Sequence, residues 1–315
     1  MAPDPDHKPT PEDRAGRLKS LRRKLAKLNR KPMADSPPAA APVERPATRR
    51  PDTILYARDL PRAEPRRVSE GGGISIPLGQ CVDGQETPSP IGPPFFLIER
   101  SMAEAPEEPD GHRLPAMLAA ALDTLAQRAA EAGQAWRVAP EQVCFLDLET
   151  TGLGCCPVFL IGTLVCRGGD VVCRQYLARN YAEEPSIVGA FAEQVRDTML
   201  FVTFNGKTFD VPFLRTRAAA TGVALPEPPG HFDLLHEARR AFRDVLPNCK
   251  LKTLEHRVCQ RHRGDDIPGS DIPAAYHDFV RTGDARQIAL IVKHNQWDLV
   301  TMIHLMARVL TPRGA

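Results

Sequence analysis

Asp147 and Glu149 stand two residues apart in the apolar run FLDLETTGL. On a β-strand that spacing sends both carboxylates out from one face. Like charges side by side on a buried strand repel, and the repulsion is costly unless a cation lies between them. Hard divalent ions take oxygen ligands, usually one or two carboxylates plus substrate phosphates. A strand end where both acids meet water is the plain alternative. Asp210, in FNGKTFDVPFL, follows a strand ending near Phe204 and a tight Asn205-Gly206 turn. By itself it reads equally as a first-turn acid at a helix N-terminus. His294 and Asp298, in KHNQWDLVTMIHL, lie four apart on one helix face. They suit either a metal ligand with a proton acceptor beside it or a solvated ion pair.

Weaker candidates surround these. Lys207 precedes Asp210, and Lys250 and Lys252 open a basic helix. Each reads as a phosphate contact or as a surface lysine. Asn205 would hydrogen-bond a substrate backbone or merely shape its turn. Asp233 sits near a strand end and reads as structural or supporting, and Asp265-Asp266 as a loop with a cap. Phe95, Phe96 and Tyr276 suit base stacking or, more simply, core packing.

The elements that must position these groups alternate between strand and helix. An apolar run at 141–149 predicts a buried central strand. Residues 157–178 predict two strands about a Gly-Gly-Asp turn, and 199–205 another buried strand. Helices are expected at 115–133, 183–198, 208–221, 235–245, 250–260, 273–283 and 285–310. A meander of strands followed by alternating strand and helix argues for an α/β class with a mixed sheet.

Composition bounds the rest. The chain has 315 residues, 42% hydrophobic and 25% charged, which excludes a wholly disordered polymer. Its net charge of +2 names no partner. No apolar run reaches about 18 residues, so no transmembrane helix is expected, and MAPDPDHKPTPEDRAG lacks the apolar core of a secretory signal. The eight cysteines form no CxxC pair; they are expected as free thiols in a reducing cytoplasm. Charge and proline are unevenly spread. Residues 1–70 hold 17 Lys/Arg against 10 Asp/Glu, and 19 of the 31 prolines precede residue 111. Three divisions follow. Residues 1–51 are expected to be a disordered basic, Pro-rich tail. Within it Leu18, Leu21, Leu25 and Leu28 mark an amphipathic helix over 16–31 that either contacts nucleic acid or packs its Leu stripe on its own domain or another protein. Residues 52–140 read as extended segments and a helix leading into a domain over 141–311.

Taken in order, Asp-x-Glu on a first strand, Asn-Gly…Phe-Asp after a later strand and His-x-x-x-Asp on a late helix resemble the three exonuclease motifs of the DEDD superfamily. LDLETTGL, FLIGT, ARNYAEE, FNGKTFDVPFLRTR, FDLLHEARR, DIPG and the HNxxD helix look more closely like a YprB-type ribonuclease H-like domain, over about residues 142–310. The resemblance implies a ribonuclease H-like mixed five-stranded sheet flanked by helices. It implies two Mg2+ or Mn2+ ions held by Asp147, Glu149, Asp210 and Asp298, with His294 accepting a proton. DEDD enzymes that use a catalytic histidine place it five residues before the last aspartate; here the gap is four, the spacing of the tyrosine-using subclass. The implied activity is hydrolysis of phosphodiester bonds by two metal ions, as a 3′–5′ exonuclease on single-stranded DNA or RNA, without a membrane or a small-molecule cofactor. A structure-specific endonuclease of the same fold and a non-catalytic nucleic-acid-binding module are the alternatives.

Overall fold

The computed structural model describes residues 75–152, 154 and 156–311. The expected tail, its 16–31 helix and residues 52–74 lie outside the described residues. Seven strands form one mixed sheet in the order β1-β2-β5-β4-β3-β6-β7. They are β1 Gln85–Thr87, β2 Phe95–Ser101, β3 Val143–Thr150, β4 Val158–Arg167, β5 Asp170–Leu177, β6 Leu200–Thr203 and β7 Gly230–Asp233. β3 pairs antiparallel with β4 and parallel with β6, and β6 pairs parallel with β7. β4 and β5 form a hairpin closed by Arg167 opposite Asp170. Gly168 and Gly169 make its two-residue turn at φ 58° and 82°, left-handed conformations that glycine adopts without strain.

The expected five strands become seven. β5 would otherwise present an unpaired edge, which invites aggregation. The segment Phe95–Ser101 covers it, running antiparallel from Phe96 opposite Leu177 to Ser101 opposite Val172, with Phe95–Ile98 buried. β1 then pairs with β2 as the new edge.

The helices are α1 Leu78–Cys81, α2 Leu114–Glu131, α3 Glu184–Gln194, α4 Asp210–Thr221, α5 Leu234–Phe242, α6 Leu251–Arg257, α7 Ile272–Thr282 and α8 Arg286–Leu310. Alternation along β3 divides the core. Cys144, Leu146 and Leu148 join a cluster with Phe191 of α3, Leu214 of α4 and Tyr276 of α7. Val143 and Phe145 join a second with Leu118 of α2, Leu234 of α5 and Met302 of α8. α8 serves both: Ile288, Ile291 and Val292 belong to the first cluster and Leu299 to Leu310 contribute to the second. Among the described residues no helix is long and apolar enough to cross a membrane, and Cys144, Cys166, Cys173 and Cys259 are buried free thiols.

Candidate active site

Because β3 and β6 are parallel, their C-terminal ends meet at one edge of the sheet, where side chains from following loops converge. Asp147 and Glu149 lie at that end of β3, on the face of Val143 and Phe145. β6 leads through residues 204–209 to Asp210, the first residue of α4. The Asp210 carboxylate accepts the backbone N–H of Leu148, between the two β3 acids, and its own N–H. An acid at a helix N-terminus also suits the helix dipole.

The third element is α8, which crosses the sheet at Gly162, the partner of Asp147 on β4. A Cβ at Gly162 would lie 1.9 Å from Oδ1 of Asn295, so the missing side chain admits the helix. Asn295 Nδ2 donates to Asp147 Oδ2 at 2.8 Å. Gln175 Nε2 donates to Asn295 Oδ1 at 2.9 Å and to the Val292 carbonyl at 2.7 Å. Asn295 and Gln175 are fully buried. This chain fixes Asp147 and sets the height of Asp298, one turn along α8.

Electrostatics register the convergence. Burial pushes Asp147 well above the usual carboxylate range, and the charges of Asp298, Glu149 and Asp210 push it further, against the Asn295 hydrogen bond. Glu149 is also raised well above it, by burial and then by Asp298, Asp210 and Asp266. Burial lifts Asp210 to about 7, opposed by its two backbone donors and aided by Asp233 and Asp298. The sheet, α4 and α8 thus bring Asp147, Glu149, Asp210 and Asp298 within electrostatic reach of one another. As placed, and among the described residues, no three His, Cys, Asp or Glu side chains close on a single ion-sized point. The donor chemistry nonetheless fits Mg2+ or Mn2+, because it is all carboxylate oxygen and its mutual repulsion is what a hard cation relieves.

Counter-charge comes from Arg263, only 6% exposed at its side chain. It donates through Nη2 to Asp298 Oδ1 and through Nε to Glu255 Oε2 at 2.5 Å. Glu255 also accepts from Thr301 Oγ1 at 2.8 Å. His294 is buried, with Nδ1 2.6 Å from Asp266 Oδ1 and Nε2 3.6 Å from Asp298 Oδ2. Lys252 Nζ lies 2.7 Å from Asp266 Oδ2. Lys250 is exposed and flanks the N-terminus of α6.

Asn205 is exposed at φ 67°, and its N–H donates to Asp233 Oδ1 at 2.8 Å. Asp233 also accepts from the N–H groups of Lys207 at 3.0 Å and Leu235 at 3.0 Å. It therefore fastens the loop before Asp210 and caps α5 at once. Burial lowers the pKa of the half-buried Lys207 side chain, against the pull of Asp233. Sequence reasoning did not single out Asn295, Gln175, Gly162, Arg263 or Glu255. The one local signal among them is the glycine inside an otherwise bulky strand, which marks close approach by another element.

A family model described as RNase_H superfamily matches residues 144–310. A protein of Bacillus subtilis (strain 168) called "Uncharacterized protein YprB" is 34% identical over 166 residues, covering 51% of this chain and 40% of that protein. The chain thus spans less than half the length of this curated relative. Among solved structures, the family B DNA polymerase from the hyperthermophilic archaeon Pyrobaculum calidifontis matches at 16% identity with a TM-score of 0.43, covering 71% of this chain and 28% of the polymerase chain.

Proposed function

The chain belongs to the RNase_H superfamily, and on that premise we propose that it is a metal-dependent nuclease, a 3′–5′ exonuclease acting on single-stranded DNA or RNA. The supporting observation is the quartet of Asp147, Glu149, Asp210 and Asp298, in which burial and the neighbouring carboxylates raise the pKa values of Asp147, Glu149 and Asp210. Nothing in the packing of a sheet calls for four acids there, and such repulsion is retained where a site is built for function.

Asp147, Glu149, Asp210 and Asp298 would hold two Mg2+ or Mn2+ ions. Bound there, the ions supply Lewis-acid activation of a water and stabilisation of the leaving 3′-oxygen. The protein's own part is positioning. Asn295 and Gln175 hold Asp147, and Leu148 holds Asp210. His294, beside Asp298, would take the proton of the attacking water. Asn205, Lys207 and Lys250 lie on surfaces from which a phosphodiester backbone can be guided, and Lys252 steadies Asp266 beside His294.

One observation favours a second reading. Arg263 already neutralises Asp298, as suits a nucleic-acid-binding module without catalysis. End-labelled single strands of DNA and RNA, incubated with Mn2+ or Mg2+ and with a chelator, separate the two. A ladder from the 3′ end, lost in Asp147→Ala, supports the exonuclease. Discrete internal cuts make it an endonuclease, and binding without any metal-dependent product leaves the module.

A further inference from the structure

The segment between α6 and α7 carries charged groups that tie it to α8, to α6 and to the segment after β2. Arg261 pairs with the buried Glu108 at 2.7 Å, Arg263 with Asp298 and Glu255, and Asp266 with His294. The segment is thereby pinned over the half of α8 that bears the site. Asp266 occupies its centre. Lys252 stands 2.7 Å from Oδ2, and Arg263 Nη1 lies 3.6 Å from the same oxygen. A carboxylate between two cations stays ionised and can only accept hydrogen bonds. The hydrogen in its 2.6 Å contact with His294 must then sit on Nδ1.

We propose that Asp266 is a positioning residue, anchored by Lys252, that fixes the His294 ring with Nδ1–H toward itself and Nε2 toward Asp298 and the acid quartet. The inference rests on the nuclease reading for its consequence in turnover but not for its geometry. The 3.6 Å from Nε2 to Asp298 Oδ2 exceeds a hydrogen bond, so Asp298 does not compete with Asp266 for the ring. Burial of the ring at 7% exposure prevents its turning out to solvent. The device also bears on the spacing of four residues between His294 and Asp298: a ring one turn from the aspartate is aimed by a partner from another element.

The test uses the full chain with Mg2+ and 15N-labelled histidine. In the wild type, nitrogen NMR should report His294 protonated at Nδ1. In Asp266→Asn, whose amide can donate to Nδ1, the ring should shift to the Nε2–H form. On single-stranded substrate, kcat should fall about 10- to 100-fold, while KM and Mn2+ affinity by electron paramagnetic resonance stay unchanged. A wild-type ring already protonated at Nε2, or a tautomer that ignores the substitution, overturns the proposal whatever the activity. A shifted tautomer with unchanged kcat overturns the link to turnover. If the wild type cleaves nothing, the nuclease reading fails while the tautomer comparison still decides the positioning role. Should Asp266→Asn unfold, Lys252→Met, which removes only the anchor, gives the same readouts with a mixed tautomer expected and an unaltered one refuting.

Discussion

Replacing Gly162 by alanine tests how α8 is seated on the sheet, independently of any activity. The added methyl would meet Asn295 Oδ1 at 1.9 Å, with the rest of the amide at 2.6 and 2.7 Å. Asn295 is completely buried and lies on a 25-residue helix packed into both cores, so it cannot simply retreat. If the side chain stays, the overpacking costs about 1–3 kcal/mol. If it turns away, Asp147 Oδ2 loses its Asn295 donor and Gln175 Nε2 keeps only the Val292 carbonyl, at about 1–3 kcal/mol for a buried group left unpaired. Either outcome places Gly162→Ala about 1–3 kcal/mol below the wild type, a sizeable share of a domain's usual stability of about 5–15 kcal/mol. Urea unfolding in the presence of a chelator would show a lowered midpoint at constant slope. Asn295→Ala removes the obstacle, so the double variant should be more stable than the sum of the single losses by about 1 kcal/mol or more. A Gly162→Ala midpoint equal to that of the wild type, or strictly additive variants, would refute the account of how Asp147 is held.

Three further outcomes are expected. Asp210 titrates in the folded protein near 7 rather than at its ordinary 3.8, so between these values the folded state binds more protons than the unfolded one and loses stability as pH rises. Asp210→Asn, measured in chelator, should therefore gain on the wild type between pH 4 and 7, by up to about 4 kcal/mol from linkage; parallel pH curves would sink this. Asp233→Ala strips acceptors from three backbone N–H groups, and thermal unfolding should show a loss of about 2–4 kcal/mol, with a negligible loss contradicting its role as the fastening of the 205–207 loop. Arg263→Met leaves Glu255 and Asp298 unpaired in the interior and should cost about 3–5 kcal/mol, recovered in part by adding Glu255→Gln; equal stability to the wild type would mean that the ion pairs are idle.

Local features account for much of what the sequence makes legible. The Gly168-Gly169 hairpin, the period of two that puts Asp147 and Glu149 on one face, and the long amphipathic stretch of α8 are all short-range patterns. So is the α/β alternation from which the mixed sheet follows. Pairing at a distance is not readable in this way. Phe95–Ser101 reads as an extended segment or edge strand, but its partner lies some 75 residues downstream, so its place beside β5 emerges only with the sheet. The same limit hides the supports of the site. Asn295 looks like one polar residue in a helix until β4 brings Gly162 beneath it. Asp266, in an irregular segment, reads as a loop acid until His294 is folded against it. Lys252 looks like a surface lysine for want of that same partner. Only chain proximity in space distinguishes these from ordinary polar positions.

The unbroken run of Arg286–Leu310 has a mechanical consequence. Its first turns seal one core and its last turns the other, with His294, Asn295 and Asp298 in between. Amide hydrogens at the middle of such a helix exchange with solvent only when the whole domain opens. The floor beneath the acids is as durable as the molecule itself, and the strain of gathering like charges is carried by the entire fold instead of being shed by local fraying.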